Sequence, residues 1–257
     1  MQYTEKDIQQ AKQFVLKRVE AEISVQSRLD EALLWAAKEI IAIAYKYSIA
    51  PKLFRFSVNP QLKKDVDAVL EKLREMLYDY VVAYSVAVDK DERDGIIALI
   101  NQETYGHTLK ERINTYVGRF KFELEAFIAA GLLHGLSKDK LLSSVRANLS
   151  NPYNNQLFRT TAVQGGMVAT RIHTGGISYG QGHSNSSRNT LVTLLRTTVA
   201  LAWMSIWGNR HKGAKGFYSF RGSSYPCAWC DDMVGYHPIE EYKGLWHPRC
   251  RCFFVFV

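Results

Sequence analysis

The sequence predicts a mainly α protein, with a long-helix N-terminal region and a small C-terminal α+β module. Three observations lead there. Apolar residues recur at helical spacing through the first 150 positions, capping residues punctuate that spacing, and all four cysteines fall within the last 31 of 257 residues. A hydrophobic content of 47%, with five Trp, fourteen Tyr and twelve Phe, excludes overall disorder and suffices for one large core or two smaller ones.

The first helix is expected from Thr4, with Asp7 completing a near capping box. Its apolar face runs through Phe14, Val15, Val19, Ile23, Leu29, Ala32, Leu33, Ala36, Ile40 and Ile41, and Pro51 ends the region. Asn59-Pro60 opens the next helix as cap and first helical residue. Val66, Val69, Leu70, Leu73, Met76, Leu77 and Tyr80 supply its stripe. Thr108 and Glu111 form a second capping box, before a helix ending near Gly135. Ser137 opens a shorter helix closed by Asn151-Pro152. The stretch TGGISYGQGHSNSSRN, 174–189, reads as a Gly/Ser loop, and NTLVTLLRTTVALAWMSIW, 189–207, as a helix. That helix is rich in β-branched residues and needs burial to be stable. In the echoing phrases FRTTAV (158–163) and LRTTVA (195–200), threonine hydroxyls can return to the helix backbone. The expected organisation is a helical domain over 1–150, a basic helical region over 151–215, and a Cys/His module over 216–257.

Net charge is +8, and its placement is uneven. From Lys140 to Cys230 there is no Asp or Glu in 91 residues, against ten Lys and Arg. Such a field suits nucleic acid or an acidic protein surface. The candidate contacts are Arg188, Arg196, Arg210, Lys212, Lys215, Arg221, Arg249 and Arg251. No helix-turn-helix, paired finger or RNP pattern points to base-specific reading. The Gly-rich loop lacks the GxxxxGK[ST] order of a phosphate-binding loop. No basic segment followed by an apolar one marks a signal peptide, and AWMSIW (202–207) is too short to span a bilayer, so a soluble protein without a membrane span is expected.

The cysteines follow C-x2-C-x16-H-x2-C-x-C: Cys227, Cys230, His247, Cys250 and Cys252. Cys227 and Cys230 have knuckle spacing, so one turn brings both sulfurs to one ion. Five candidate ligands face four tetrahedral positions. The order of preference is Cys227, Cys230 and Cys252, then His247 or Cys250. A structural Zn2+ site is the leading reading. A disulfide clip, a CxxC redox pair and free buried cysteines are the rivals. A catalytic zinc would need an open position and a base such as Glu240, Glu241 or His237. There is no HExxH, and PCAWC is not preceded by an HxE element as in zinc deaminases. CFFVFV (252–257) is expected to add a strand to a small sheet, DDMVGYHPIEEYKGLW (231–246) to reverse at Gly235, and Arg249 and Arg251 to point away from the sulfurs along a strand.

HPRCRC, preceded by CxxC and a WHP entry, resembles the C-terminal signature of phage Mu F-like minor head, or head morphogenesis, proteins. YGQGHSNSSRNTLVTLLRTT (179–198) is similar to the loop and Arg-Thr helix of versions from Bacteroidetes phages and prophages. The resemblance covers residues 175–252; the helical half matches only in general character. It implies that Cys227, His247, Cys250 and Cys252 belong to the family's Cys/His module, and that Arg196 and Thr197 match its RT phrase. Thr198 stands where the family often has an acid. The implied role is a non-enzymatic virion component of the capsid interior or portal vertex, present in the host cytoplasm during assembly. It would act in head assembly or in DNA packaging and delivery. The implied partners are the portal, the major capsid protein, further copies of itself and, non-specifically, packaged DNA. The competing classes are a zinc-dependent nuclease or toxin-like enzyme and a zinc-containing nucleic-acid-binding protein.

Overall fold

A computed structural model describes residues 3–152, 155–164, 166, 168 and 186–257. Among these it has eight α-helices and one three-stranded sheet, bearing out the mainly α reading with a small C-terminal sheet. The helices are α1 (Glu5–Ala44), α2 (Pro60–Val86), α3 (Arg93–Ile100), α4 (Leu109–Leu133), α5 (Lys138–Asn148), α6 (Gln156–Gln164), α7 (Ser187–Arg210) and α8 (Ala228–Asp232). The strands are β1 (Gly216–Phe220), β2 (Gly235–Pro238) and β3 (Phe253–Phe256).

The capping signals act as their chemistry requires. Thr4 and Asp7 exchange bonds at the start of α1, the Asp7 amide donating to Thr4 Oγ1 and the Thr4 amide to Asp7 Oδ2 at 2.8 Å. Asn59 Oδ1 accepts from the Gln61 and Leu62 amides, and Thr108 forms a full capping box with Glu111. Gly135, at φ 64°, takes the left-handed conformation after α4, and the Leu136 amide then returns to the Gly131 carbonyl. Thr160, Thr161 and Thr198 each donate to the carbonyl four residues back. These bonds satisfy the hydroxyls within their own helices.

The face of α1 differs from the expectation. Ile23 is 51% exposed and Val19 only half-buried, while Arg18 and Glu22 are 0% and 1% exposed. At 3.6 residues per turn, Phe14 and Val15 lead to Arg18, then to Ala21 and Glu22, then to Val25. The two charges lie in register with the apolar stripe.

The described chain falls into two compact units that are discontinuous in sequence. One comprises Met1–Ser27, Tyr80–Gln102 and Thr193–Val257; the other comprises Arg28–Asp79 and Glu103–Val192. The consecutive regions 1–150, 151–215 and 216–257 therefore divide the chain differently from its packing.

In the first unit Phe14 stacks on Trp207 at 4.5 Å, and the Trp207 indole donates to the Phe254 carbonyl at 3.1 Å. The Trp203 indole donates to the Tyr84 carbonyl at 2.8 Å. The sheet order is β2-β1-β3, all antiparallel, with Phe217 opposite His237 on one side and Phe256 on the other. β1 is the central strand. Phe217 is fully buried, ringed by Tyr242, Trp246, Phe254 and Phe256. The apolar C-terminal run thus gains a pairing partner on one side, which limits its exposure as a sheet edge.

In the second unit Phe127 packs on Phe158 at 4.3 Å, and Glu125 accepts from the Phe56 amide at 2.7 Å. Glu123 is buried and accepts from the Ser187 amide at 2.8 Å and from the Ser187 hydroxyl. Burial raises its carboxyl above the ordinary value, against the lowering effect of the Ser187 bonds.

Residues 174–185 of the expected Gly/Ser loop lie outside the described residues. From Ser187 the loop assignment is corrected: Ser186 caps α7, its hydroxyl accepting from the Asn189 amide, and Ser187 and Arg188 are helical. By length and composition α7 could cross a bilayer, but 61% of its apolar window is buried inside the protein, the pattern of a core helix.

Candidate metal centre

Two turns build the centre. Cys227 precedes α8, and the Asp231 amide closes that turn on its carbonyl at 3.0 Å. Cys230, one helical turn along, points to the same side. The second turn is His247–Cys250, closed by the Cys250 amide on the His247 carbonyl at 3.1 Å. Arg249 adopts φ 66° within it. Residues 249–252 are therefore not a strand, and the expected alternation of arginines and sulfurs is replaced by a turn. The left-handed residue is what swings Cys250 back toward Cys230.

All five candidate ligands gather here, in two triads whose ligand atoms lie within 4.8 Å of one another: Cys227, Cys230 and His247, and Cys230, Cys250 and Cys252. Cys230 is common to both. His247 Nε2 lies 3.4 Å from Cys227 Sγ and 3.0 Å from Cys230 Sγ, and Cys230 Sγ lies 3.9 Å from Cys250 Sγ. All four cysteines are free thiols. His247 Nδ1 lies 2.8 Å from the Pro248 carbonyl; the tautomer donating there turns the Nε2 lone pair to the sulfurs. Cys230, Cys250 and Cys252 are buried, whereas Cys227 and His247 are half-buried and form the open side.

The thiols are unequal. The Cys252 S–H bond, opposed by burial and reinforced by the Cys252 and Trp246 amides, lowers Cys250 to about 5. Burial and then the Cys250 charge push Cys230 up to about 12. Donation to Cys250, followed by burial, pushes Cys252 upward. The Cys252 amide lies 3.4 Å from the Cys250 sulfur. Such a donor set could hold a metal ion.

Two arginines hold the turns by their carbonyls. Arg221 donates to the Cys227 carbonyl at 3.3 Å and pairs with Asp231. Arg18 donates to the Cys250 carbonyl at 2.6 Å. Arg18 and its partner Glu22 escaped the sequence reading. Their register with Phe14 and Val25 was the available signal.

The candidate contact residues divide. Arg188 pairs with Asp30 through two bonds, and Arg196 with Glu22 and Gln26. Arg210 pairs with Asp89, Arg221 with Asp231, and Arg249 donates to Thr193 Oγ1 at 3.1 Å. Lys212 and Lys215 are exposed, and Arg251 is half-buried. Of the candidate bases, His237 places one ring nitrogen 2.8 Å from Glu241 and the other 3.1 Å from the Met233 carbonyl. Glu240 and Glu241 lie on a single 3-10 turn, Ile239–Glu241.

In comparisons with known proteins, no family model, curated protein or solved structure matches the chain.

Proposed function

We propose that this chain is a structural minor head protein of a phage or prophage, associated with the portal or capsid, whose C-terminal module is held by zinc. The observation that carries the reading is the convergence of PCAWC and HPRCRC, the motifs of the family resemblance, on one Cys/His cluster. A tetrahedral zinc with bonds of about 2.3 Å to sulfur and about 2.0 Å to nitrogen needs S···S edges near about 3.8 Å and S···N edges near about 3.5 Å. The separations of 3.9 and 3.4 Å match those edges and 3.0 Å is shorter; Cys250 belongs to a different triad from Cys227 and His247, so it moves inward when the ion binds. A sulfur-rich tetrahedral set favours zinc over harder cations. Cys227, Cys230, His247 and Cys250 are the ligands we assign, with Cys252 donating to Cys250. When bound, the ion supplies cross-linking of the two turns, which a three-stranded sheet of short strands needs.

A structural role also fits His237, whose ring nitrogens are both engaged rather than poised as a base. Packaged DNA is met non-specifically at most, through exposed Lys212 and Lys215. The test is co-purification of the full chain with portal and major capsid protein, with metal analysis of the product. Presence in procapsids together with equimolar zinc is expected. Absence from procapsids and virions overturns the head-protein reading, and a folded, reduced, zinc-free chain overturns the metal reading.

A further inference from the structure

The unit that contains the cysteines also contains an unbalanced buried charge. Arg18 Nε lies 3.3 Å from Glu22 Oε1, and Arg196 Nη2 lies 3.0 Å from Glu22 Oε2. Two guanidinium groups share one carboxylate. Their side chains are 0%, 11% and 1% exposed for Arg18, Arg196 and Glu22, so water does not screen the excess. Half-buried Arg251 adds positive charge beside Arg18. Arg18 Nη1 is buried without a hydrogen-bond partner, while its Nη2 grips the Cys250 carbonyl. Buried cations are ordinarily matched by an anion.

The cysteine centre supplies one. Three thiolates and one neutral imidazole around a divalent ion carry one net negative charge. That equals the excess of the dry residues Arg18 and Arg196 over Glu22, while Arg251 keeps part of its surface in water. We propose that Arg18 is the counter-cation of the metal–thiolate centre, a positioning residue that acts through Cys250 by charge and by its carbonyl bond. The inference rests on the metal reading above. It explains why a fully buried arginine occupies a stripe position on α1 where an apolar residue would otherwise pack.

The test is a Co2+ titration of the full chain, followed by thiolate-to-metal absorbance and chelator competition, with circular dichroism to check folding. Arg18→Met should weaken binding by about 10–100-fold. Arg18→Lys, which keeps the charge and loses the planar fork, should recover most of that loss. Glu22→Gln removes the competing carboxylate and should bind Co2+ at least as tightly as the parent. A merely structural role predicts the reverse pattern: Arg18→Lys as weak as Arg18→Met, and Glu22→Gln weakened too. Either result overturns the proposal, as does Arg18→Met binding within about twofold of the parent. If Arg18→Met fails to fold, Arg18→Lys and Glu22→Gln decide by the same signs. If the parent takes up no Co2+, the metal reading itself fails. A parent that binds beside indifferent variants sinks only the role of Arg18.

Discussion

Arg196 on α7 reaches Glu22 on α1 at 3.0 Å, across 174 residues of sequence. Arg188, Arg196, Arg210 and Arg221 of the segment without acids thus pair with acids from elsewhere in the chain. Burial then ranks these pairs. Arg196–Glu22 is 11% and 1% exposed, whereas Arg188–Asp30 is 18% and 32% exposed. Arg196→Met should cost about 2 kcal/mol, because charged bonds to Glu22 and Gln26 are lost in a dry setting. Arg188→Met should cost roughly 1 kcal/mol, since water screens the partly exposed pair. Urea unfolding of both variants checks the ranking. Equal losses would mean that burial does not set the strength of these pairs.

The shared position of Cys230 makes it the most sensitive ligand. Cys230→Ser should abolish metal binding, Cys227→Ser and Cys250→Ser should do nearly the same, and Cys252→Ser should retain equimolar metal at reduced affinity. Metal content after gel filtration reads the result. Retention in Cys250→Ser with loss in Cys252→Ser would transfer the fourth ligand to Cys252.

Glu123 yields a pH prediction. Its folded carboxyl is raised above the unfolded value near 4.5 by burial, which outweighs the lowering effect of the Ser187 amide and hydroxyl. The folded state therefore holds the proton more tightly than the unfolded one. That contribution to stability is fully present below the unfolded value and is lost as pH rises through the folded one. Glu123→Gln keeps an acceptor for the Ser187 amide without the charge. Its stability relative to the parent should climb as pH rises above about 4.5 and then level off. Thermal melts from pH 4 to pH 8 test this; a constant difference would show that Glu123 does not titrate differently on folding.

Gly222 packs against the Arg251 carbonyl, between Cys250 and Cys252, so closely that a Cβ would collide with that backbone oxygen. Gly222→Ala must displace the chain that carries both cysteines. We expect a loss of about 2 kcal/mol or more, with weaker metal binding, because the clash is with backbone rather than with a side chain that can rotate away. Gly118→Ala meets nothing within 4 Å and serves as the control. Parent-like melting and metal content in Gly222→Ala would show that the turn yields freely.

Much of the fold was legible because its causes are local. Thr4, Asn59, Thr108 and Ser137 all cap helices where they were expected to, since a capping bond spans only two or three residues. Spacing alone was less complete. It missed α3, and it did not identify β1, the strand on which the sheet is centred. A five-residue strand needs its neighbours before its pattern means anything.

The gathering of the five candidate ligands was likewise foreseen from spacing, because CxxC and HxxC each close within one turn. What spacing could not supply was the left-handed Arg249, which makes a turn of residues expected to alternate along a strand.

By itself, then, the sequence determined where helices begin, which residues could meet a metal, and that the chain carries an excess of positive charge. The tertiary structure alone decided which charges are compensated. Arg18 lies beneath Cys250, and Arg196 meets Glu22. Capping and turn bonds are set by covalent neighbours. Ion pairs between residues 174 apart depend on which helix faces lie together, and one residue of helical phase separates buried Arg18 from half-buried Val19.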